Sequence, residues 1–216
     1  MDSLQDNHLI YRLGHWSTVG RLTASLFHEI NNPMQAIQGA TSLALEDIND
    51  VESLRTYLEL SRHESDRILS LIARARRVFT LDDVPLAPLD LHTAVHEVLH
   101  LAAKEMSSRR VTVYQQLSPA VPPLLARYNE FSIALLSTLF AVSDVLFAAG
   151  GGELTLRSMA QEGFVWLDLS ASAHTLGAAE VDLFVGRHLV ERCQGYVEQL
   201  AADGQWTIRL AMPQAI

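Results

Sequence analysis

The chain has 216 residues, 49% of them hydrophobic, and a formal net charge of -9. That length and composition can bury one or two ordinary cores, whereas the surplus of carboxylates excludes a dedicated nucleic-acid binder, whose affinity needs clustered Lys and Arg. A single cysteine, Cys193, excludes an intramolecular disulfide and a thiolate metal cluster, and fits a reducing, cytoplasmic setting with protein partners.

The opening stretch MDSLQDNHLIYRLGHW is acidic and mixed rather than basic then apolar. Neither a targeting segment nor a membrane span of about 20 apolar residues is expected. From 7 to 47 an apolar stripe recurs at three- and four-residue steps through Leu22, Leu26, Ile30, Pro33, Ile37, Ala40, Ala44 and Ile48, which predicts one long helix. Asn49 and Asp50 mark a turn, with Ser53 as candidate N-cap of a second helix. That helix, 54–79, alternates four- and three-residue steps through Leu54, Leu58, Ser61, Ser65, Ile68, Ile72, Ala75 and Phe79. A hairpin with two such stripes buries them best as a homodimer, in which two hairpins form a four-helix bundle.

Pro85 and Pro88 then interrupt helix in TLDDVPLAPLD, and a second domain is placed after them. Its elements read as a helix at 90–107, a strand in RVTVYQQL, an apolar helix at 129–148, and a hairpin from GGGELTLRSM and GFVWLDLS. A helix at 179–193, a strand from Tyr196 and a last strand QWTIRLAMP complete it. The fold class is α+β: a helical hairpin at 1–84, followed at 85–216 by an α/β sandwich of one mixed sheet covered by helices.

The stretch FHEINNPMQAI carries the chemistry. At about 100° per residue, His28 falls opposite the apolar stripe and faces water; Asn32 lies one turn on, Ser25 and Gln35 flank them, and Glu29 sits a quarter-turn round. An exposed neutral imidazole can attack phosphorus, a neighbouring carboxylate can hold its other ring N–H, and an amide one turn away can orient a water for attack on an acyl phosphate. His28, Glu29 and Asn32 suit these roles in turn. Pro33 removes the backbone bond to the Glu29 carbonyl, so a bend is expected beside His28.

The run VGRLTASLFHEINNPMQAI resembles the phosphoacceptor H-box of bacterial two-component sensor histidine kinases over about twenty positions, including its upstream Gly-Arg-Leu. The resemblance implies that His28 is the phosphoacceptor, Glu29 the general base, and Asn32 the residue supporting phosphatase action toward a response regulator. In that family the second domain binds ATP, and here the pattern departs. Thr138 and Val142 stand where Mg²⁺-binding asparagines belong, and valine offers no oxygen ligand. Ser170 stands at the aspartate of the adenine-reading box, with no Gly-x-Gly after it. Glu180 and Asp182 stand in the phosphate-loop positions, where two carboxylates would repel a triphosphate. The segment from Ser170 to Glu180 is too short for the family's lid.

Other candidates read as structural. Asp82, Asp83, Glu46, Asp47 and Asp50 are caps and turn residues; Arg74, Arg76 and Arg77 suit a helix C-terminus or an acidic partner; His92, His96 and His100 form a polar helix face; Cys193 is a small buried residue; and Gly150 to Gly152 make a plain turn. The sequence therefore predicts a cytoplasmic, homodimeric histidine phosphotransferase with a degenerate ATP-binding-like domain. It would shuttle phosphoryl groups between response-regulator receiver domains through His28 with no cofactor of its own, the receiver supplying Mg²⁺, and with no nucleic acid or membrane as partner. The alternatives are an ATP-dependent kinase/phosphatase with a divergent nucleotide site, and a non-catalytic pseudo-kinase module.

Overall fold

The computed structural model describes residues 2–79, 85–172, 180–202 and 205–215. Helix α1 (Asp2–Glu46) runs unbroken through Pro33 and α2 (Val51–Phe79) returns beside it. Asp50, not Ser53, caps α2: its carboxylate accepts from the Glu52 and Ser53 amides at 3.1 and 3.3 Å and from the Ser53 hydroxyl at 2.8 Å, which holds its pKa below the usual carboxylate value. Tyr57 donates to Asp47 at 3.1 Å across the turn.

The stripe predicted for α1 faces inward at Leu22, Leu26, Pro33 and Ala40, but Ile48 is 60% exposed. In α2 half the predicted stripe is displaced. Leu71, Ala75 and Val78 are the buried positions, while Leu58 and Ile72 are 61% and 48% exposed. At the C-terminal end of α2 the second half of the chain packs on Ala75 and Val78, with Phe79 partly buried against the same core. The residues turned away form two faces: Phe27, Met34 and Leu45 on α1, and Val51, Leu58, Leu69 and Ile72 on α2, each aligned by the 100° helical step.

Strand β1 (Ala87–Leu89) pairs antiparallel with β3 (Leu124–Ala126), a two-stranded ribbon that the prolines concealed in the sequence. Asp90 accepts the Thr93 amide at 2.7 Å and starts α3 (Leu91–Ser108). Next come β2 (Val111–Gln116), α4 (Tyr128–Ala148), β4 (Gly152–Gln161), β5 (Phe164–Ala171), α5 (Glu180–Arg192), β6 (Tyr196–Ala202) and β7 (Gln205–Pro213). The main sheet has the order β2-β4-β5-β7-β6, with β2 parallel to β4 and the other pairs antiparallel. Along β4, Leu154, Leu156 and Ser158 are buried and Glu153 and Arg157 exposed, the alternation of a sheet with one face on the core. Gly151 has φ +111°, and a Cβ there would lie 2.8 Å from the Arg110 carbonyl oxygen, so the glycines after α4 serve a close turn.

Helix α4 is the core of the second half, buried on nearly every side. Contrary to the sequence expectation, it is long and apolar enough to cross a membrane by composition; its apolar surface is consumed by α3, α5 and the sheet. Leu22 and Leu26 of α1 and Ala75 and Val78 of α2 join the same buried cluster as Val95, Val98, Phe140 and Leu189, so one hydrophobic core spans hairpin and sandwich.

Candidate functional site

His28 and Asn32 are both exposed on α1, Glu29 is half-buried, and Pro33 is buried beneath them. Gln35 is exposed as expected. Ser25 is not: it is 7% exposed, and its hydroxyl is buried without a hydrogen-bond partner, because the second half of the chain covers that side of α1. Pro33 does not interrupt α1. Glu29 lies within electrostatic range of His100 on α3. The His100 imidazole is held below its ordinary pKa first by burial and then by Arg74, while Glu29 pulls it upward and His96 and Arg67 add to the depression. The polar face of α3 thus turns toward the hairpin rather than only toward solvent.

The positions matched to nucleotide-binding residues lie inside the fold. Thr138 is 1% exposed and donates to the Ala134 carbonyl at 2.8 Å; Val142 is fully buried. A Cβ on Gly186 of α5 would meet Thr138 Oγ1 at 2.9 Å and the Ala134 carbonyl oxygen at 3.3 Å, so α5 lies directly on this side of α4. Ser170 spends its hydroxyl on Thr207 at 2.8 Å across β5 and β7. Asp182 is not the free repulsive charge the sequence suggested: Arg21 of α1 reaches it at 3.2 Å. The segment 173–179, where the short lid was placed, the Glu180 side chain, and Asp82 and Asp83 lie outside the described residues.

Arg21 is the centre of a cluster that sequence reasoning missed. Its guanidinium donates to Glu105 of α3 at 2.9 Å, to both oxygens of Asp144 of α4 at 3.0 and 3.1 Å, and to Asp182 of α5, and it lies 4.2 Å over the Phe140 ring. Arg109 joins the cluster through Glu105 at 2.7 Å and through Asp144. Three residues earlier on α1, Thr18 and Ser137 share a buried hydroxyl–hydroxyl bond at 3.0 Å. At the C-terminal end of α2, Arg77 finds its acidic partner within the chain. It donates to Glu97 at 3.0 Å and lies 4.1 Å over Tyr128, whose phenol bonds Glu97 and is pushed up to about 12 by burial and by that carboxylate. Arg21 stood in the quoted Gly-Arg-Leu, but its carboxylate partners lie 84 to 161 positions away and nothing local marks them.

An exposed imidazole thus stands with a carboxylate and an amide on one helix, beside an α/β domain. Residues 18–83 match the His Kinase A (phospho-acceptor) domain. The sensory histidine kinase/phosphatase NtrB of Rhizobium meliloti (strain 1021) is 28% identical over 158 residues, 73% of this chain and 40% of the relative. Among solved structures, the histidine kinase AdeS of Acinetobacter baumannii superposes with a TM-score of 0.53 at 12% identity, covering 88% of this chain and 98% of that one. Histidine kinase ThkA, solved in complex with the response regulator TrrA, superposes at 0.50 and 18% identity over 93% of this chain and 63% of that one. The chain is a two-component histidine kinase-like protein, with a helical hairpin followed by a domain that has the fold of a kinase catalytic domain. It spans about 40% of the length of the curated relatives it matches.

Proposed function

We propose that this chain exchanges phosphoryl groups between His28 and the aspartate of response-regulator receiver domains, working as a homodimer and without ATP. The observation that carries the reading is the contrast between its two halves: His28 and Asn32 stand open to a partner, while Thr138 and Val142 are closed into the core. In the exchange, an imidazole nitrogen of His28 forms the N–P bond as the acyl-phosphate P–O bond breaks, and the electron pair leaves with the receiver's aspartate carboxylate. Glu29 holds the proton on the other ring nitrogen and balances the charge that develops. Asn32 orients a water when the outcome is hydrolysis. Both phosphorylated species are high in energy, so catalysis is mainly positioning, and the receiver's acidic pocket supplies Mg²⁺. The exposed apolar faces of α1 and α2 are the surface for the second protomer.

A second reading is an ATP-dependent histidine kinase/phosphatase with altered nucleotide contacts. The comparisons favour it over phosphotransfer alone, because the curated relatives are named kinase/phosphatases and the α/β domain has a kinase fold. Calorimetric titration with Mg-ATP separates the two. Phosphotransfer without ATP predicts no binding up to millimolar nucleotide, whereas micromolar affinity with label appearing on His28 from γ-labelled ATP establishes the kinase.

A further inference from the structure

We propose that Arg21 is a positioning residue for His28: it keys α1 to the α/β domain, so that the phosphoacceptor and that domain meet a partner as one rigid surface. The inference rests on the exchange proposed above, but its structural half stands on geometry alone. Arg21 precedes His28 by seven residues, about 10.5 Å along the axis and within about 20° of the same face. The anchor and the reactive group therefore share one side of one helix.

The anchor is specific to the seam between domains. Each carboxylate that Arg21 binds comes from a different helix, Glu105 from α3, Asp144 from α4 and Asp182 from α5, and the Asp144 contact is bidentate. The side chains involved are only 14–29% exposed, so solvent screens them weakly. With both arginines present the cluster holds three carboxylates against two guanidinium groups. Without Arg21, three carboxylates share Arg109 alone, and their repulsion acts on the three helices that form the seat of α1. A lysine keeps the charge but has one nitrogen to serve three helices.

Rigidity matters because phosphoryl transfer needs the reacting atoms about 3–3.5 Å apart and in line. A partner seated on both α1 and the α/β domain meets that demand only while the two hold one mutual angle. The buried Thr18–Ser137 bond lies one turn from Arg21 and the Arg77–Glu97 pair fastens the second helix to α3, so two lesser fastenings reinforce Arg21.

The test compares the full chain with Arg21→Ala and Arg21→Lys. Nitroxides on cysteines placed at the exposed positions Ser70 and Gln161, in chains diluted with unlabelled protein, report the distance between hairpin and sheet. The probes for chemistry are a radiolabelled phospho-receiver and phosphoramidate, which phosphorylates histidine without a docked protein. A narrow distance distribution is expected for the unaltered chain, a broad one for Arg21→Ala and an intermediate one for Arg21→Lys. Transfer from the receiver should fall at least tenfold in Arg21→Ala, while phosphoramidate labelling of His28 stays within twofold. A distribution that stays narrow in Arg21→Ala, or a broad one with undiminished transfer, overturns the proposal. Absence of receiver transfer in the unaltered chain counts against the exchange reading instead, and the distance measurement still decides whether Arg21 holds the domains together.

Discussion

Thr18 Oγ1 lies 3.0 Å from Ser137 Oγ, a buried bond that joins residues 119 positions apart and ties the helix bearing His28 to the core helix of the other domain. Thr18→Val keeps the shape and removes the hydroxyl, leaving Ser137 buried with a partner lost. The loss should cost about 1–3 kcal/mol of unfolding free energy, and Thr18→Val combined with Ser137→Ala should cost less than the sum of the two single changes. Urea denaturation of the four proteins checks this; strict additivity contradicts the pairing.

His28→Ala should abolish acid-labile label from a phospho-receiver. Asn32→Ala should leave that label in place and slow loss of phosphate to water by at least tenfold, since the amide serves hydrolysis rather than attack. Following receiver phosphate by gel and released inorganic phosphate by colorimetry separates the two roles.

The exposed faces of α1 and α2 predict the oligomer. Leu58→Glu with Leu69→Glu puts two charges where a second hairpin should pack, and the chain should become a monomer at micromolar concentration with its helical content kept. Light scattering and circular dichroism together test this. A dimer that survives both charges places the interface elsewhere.

Acid should act on the Arg21 cluster in two stages. Burial works against the Glu105 carboxylate, but hydrogen bonds and charge from Arg21 and Arg109 overcome it and hold its pKa below the ordinary value. Its stabilising contribution is therefore present above the unfolded-state pKa and is lost as pH falls through the lower folded-state value. Asp182 is shifted the other way: burial raises it, Asp144 adds to the rise, and Arg21 and Arg109 oppose it. A raised carboxyl lowers stability once ionised, so Asp182→Asn should leave stability at pH 7 equal or higher, with little difference from the unaltered chain at acid pH. Thermal unfolding between pH 3 and 8 should show Glu105→Gln losing most near neutrality and converging with the unaltered chain below about pH 4.

Local signals carried much of this fold. The 3.6-residue period marked α1, the apolar run at 129–148 marked α4, and the GELTLRSM and FVWLDLS segments announced the β4–β5 hairpin. The seam of α2 was misread in part because two apolar phases compete in that helix: Leu71, Ala75 and Val78 are buried while Ile72 is exposed, and only the docked domain marks Val78 as core. The β1–β3 ribbon was missed because Pro88 reads as a breaker, although an edge position tolerates it. His28, Glu29 and Asn32 were legible because they lie within five residues on one helix. The Arg21 cluster was not, since its charges meet only after four helices have packed.

Phosphate should reach His28 from a receiver rather than from ATP. The measurement is transfer of radiolabel to the purified full chain from a panel of phosphorylated receivers, beside a parallel reaction with γ-labelled Mg-ATP. Acid-labile label on the chain from at least one receiver, absent in His28→Ala and absent with ATP, is the predicted result. Rapid labelling by ATP, with no transfer from any receiver in the panel, would contradict it.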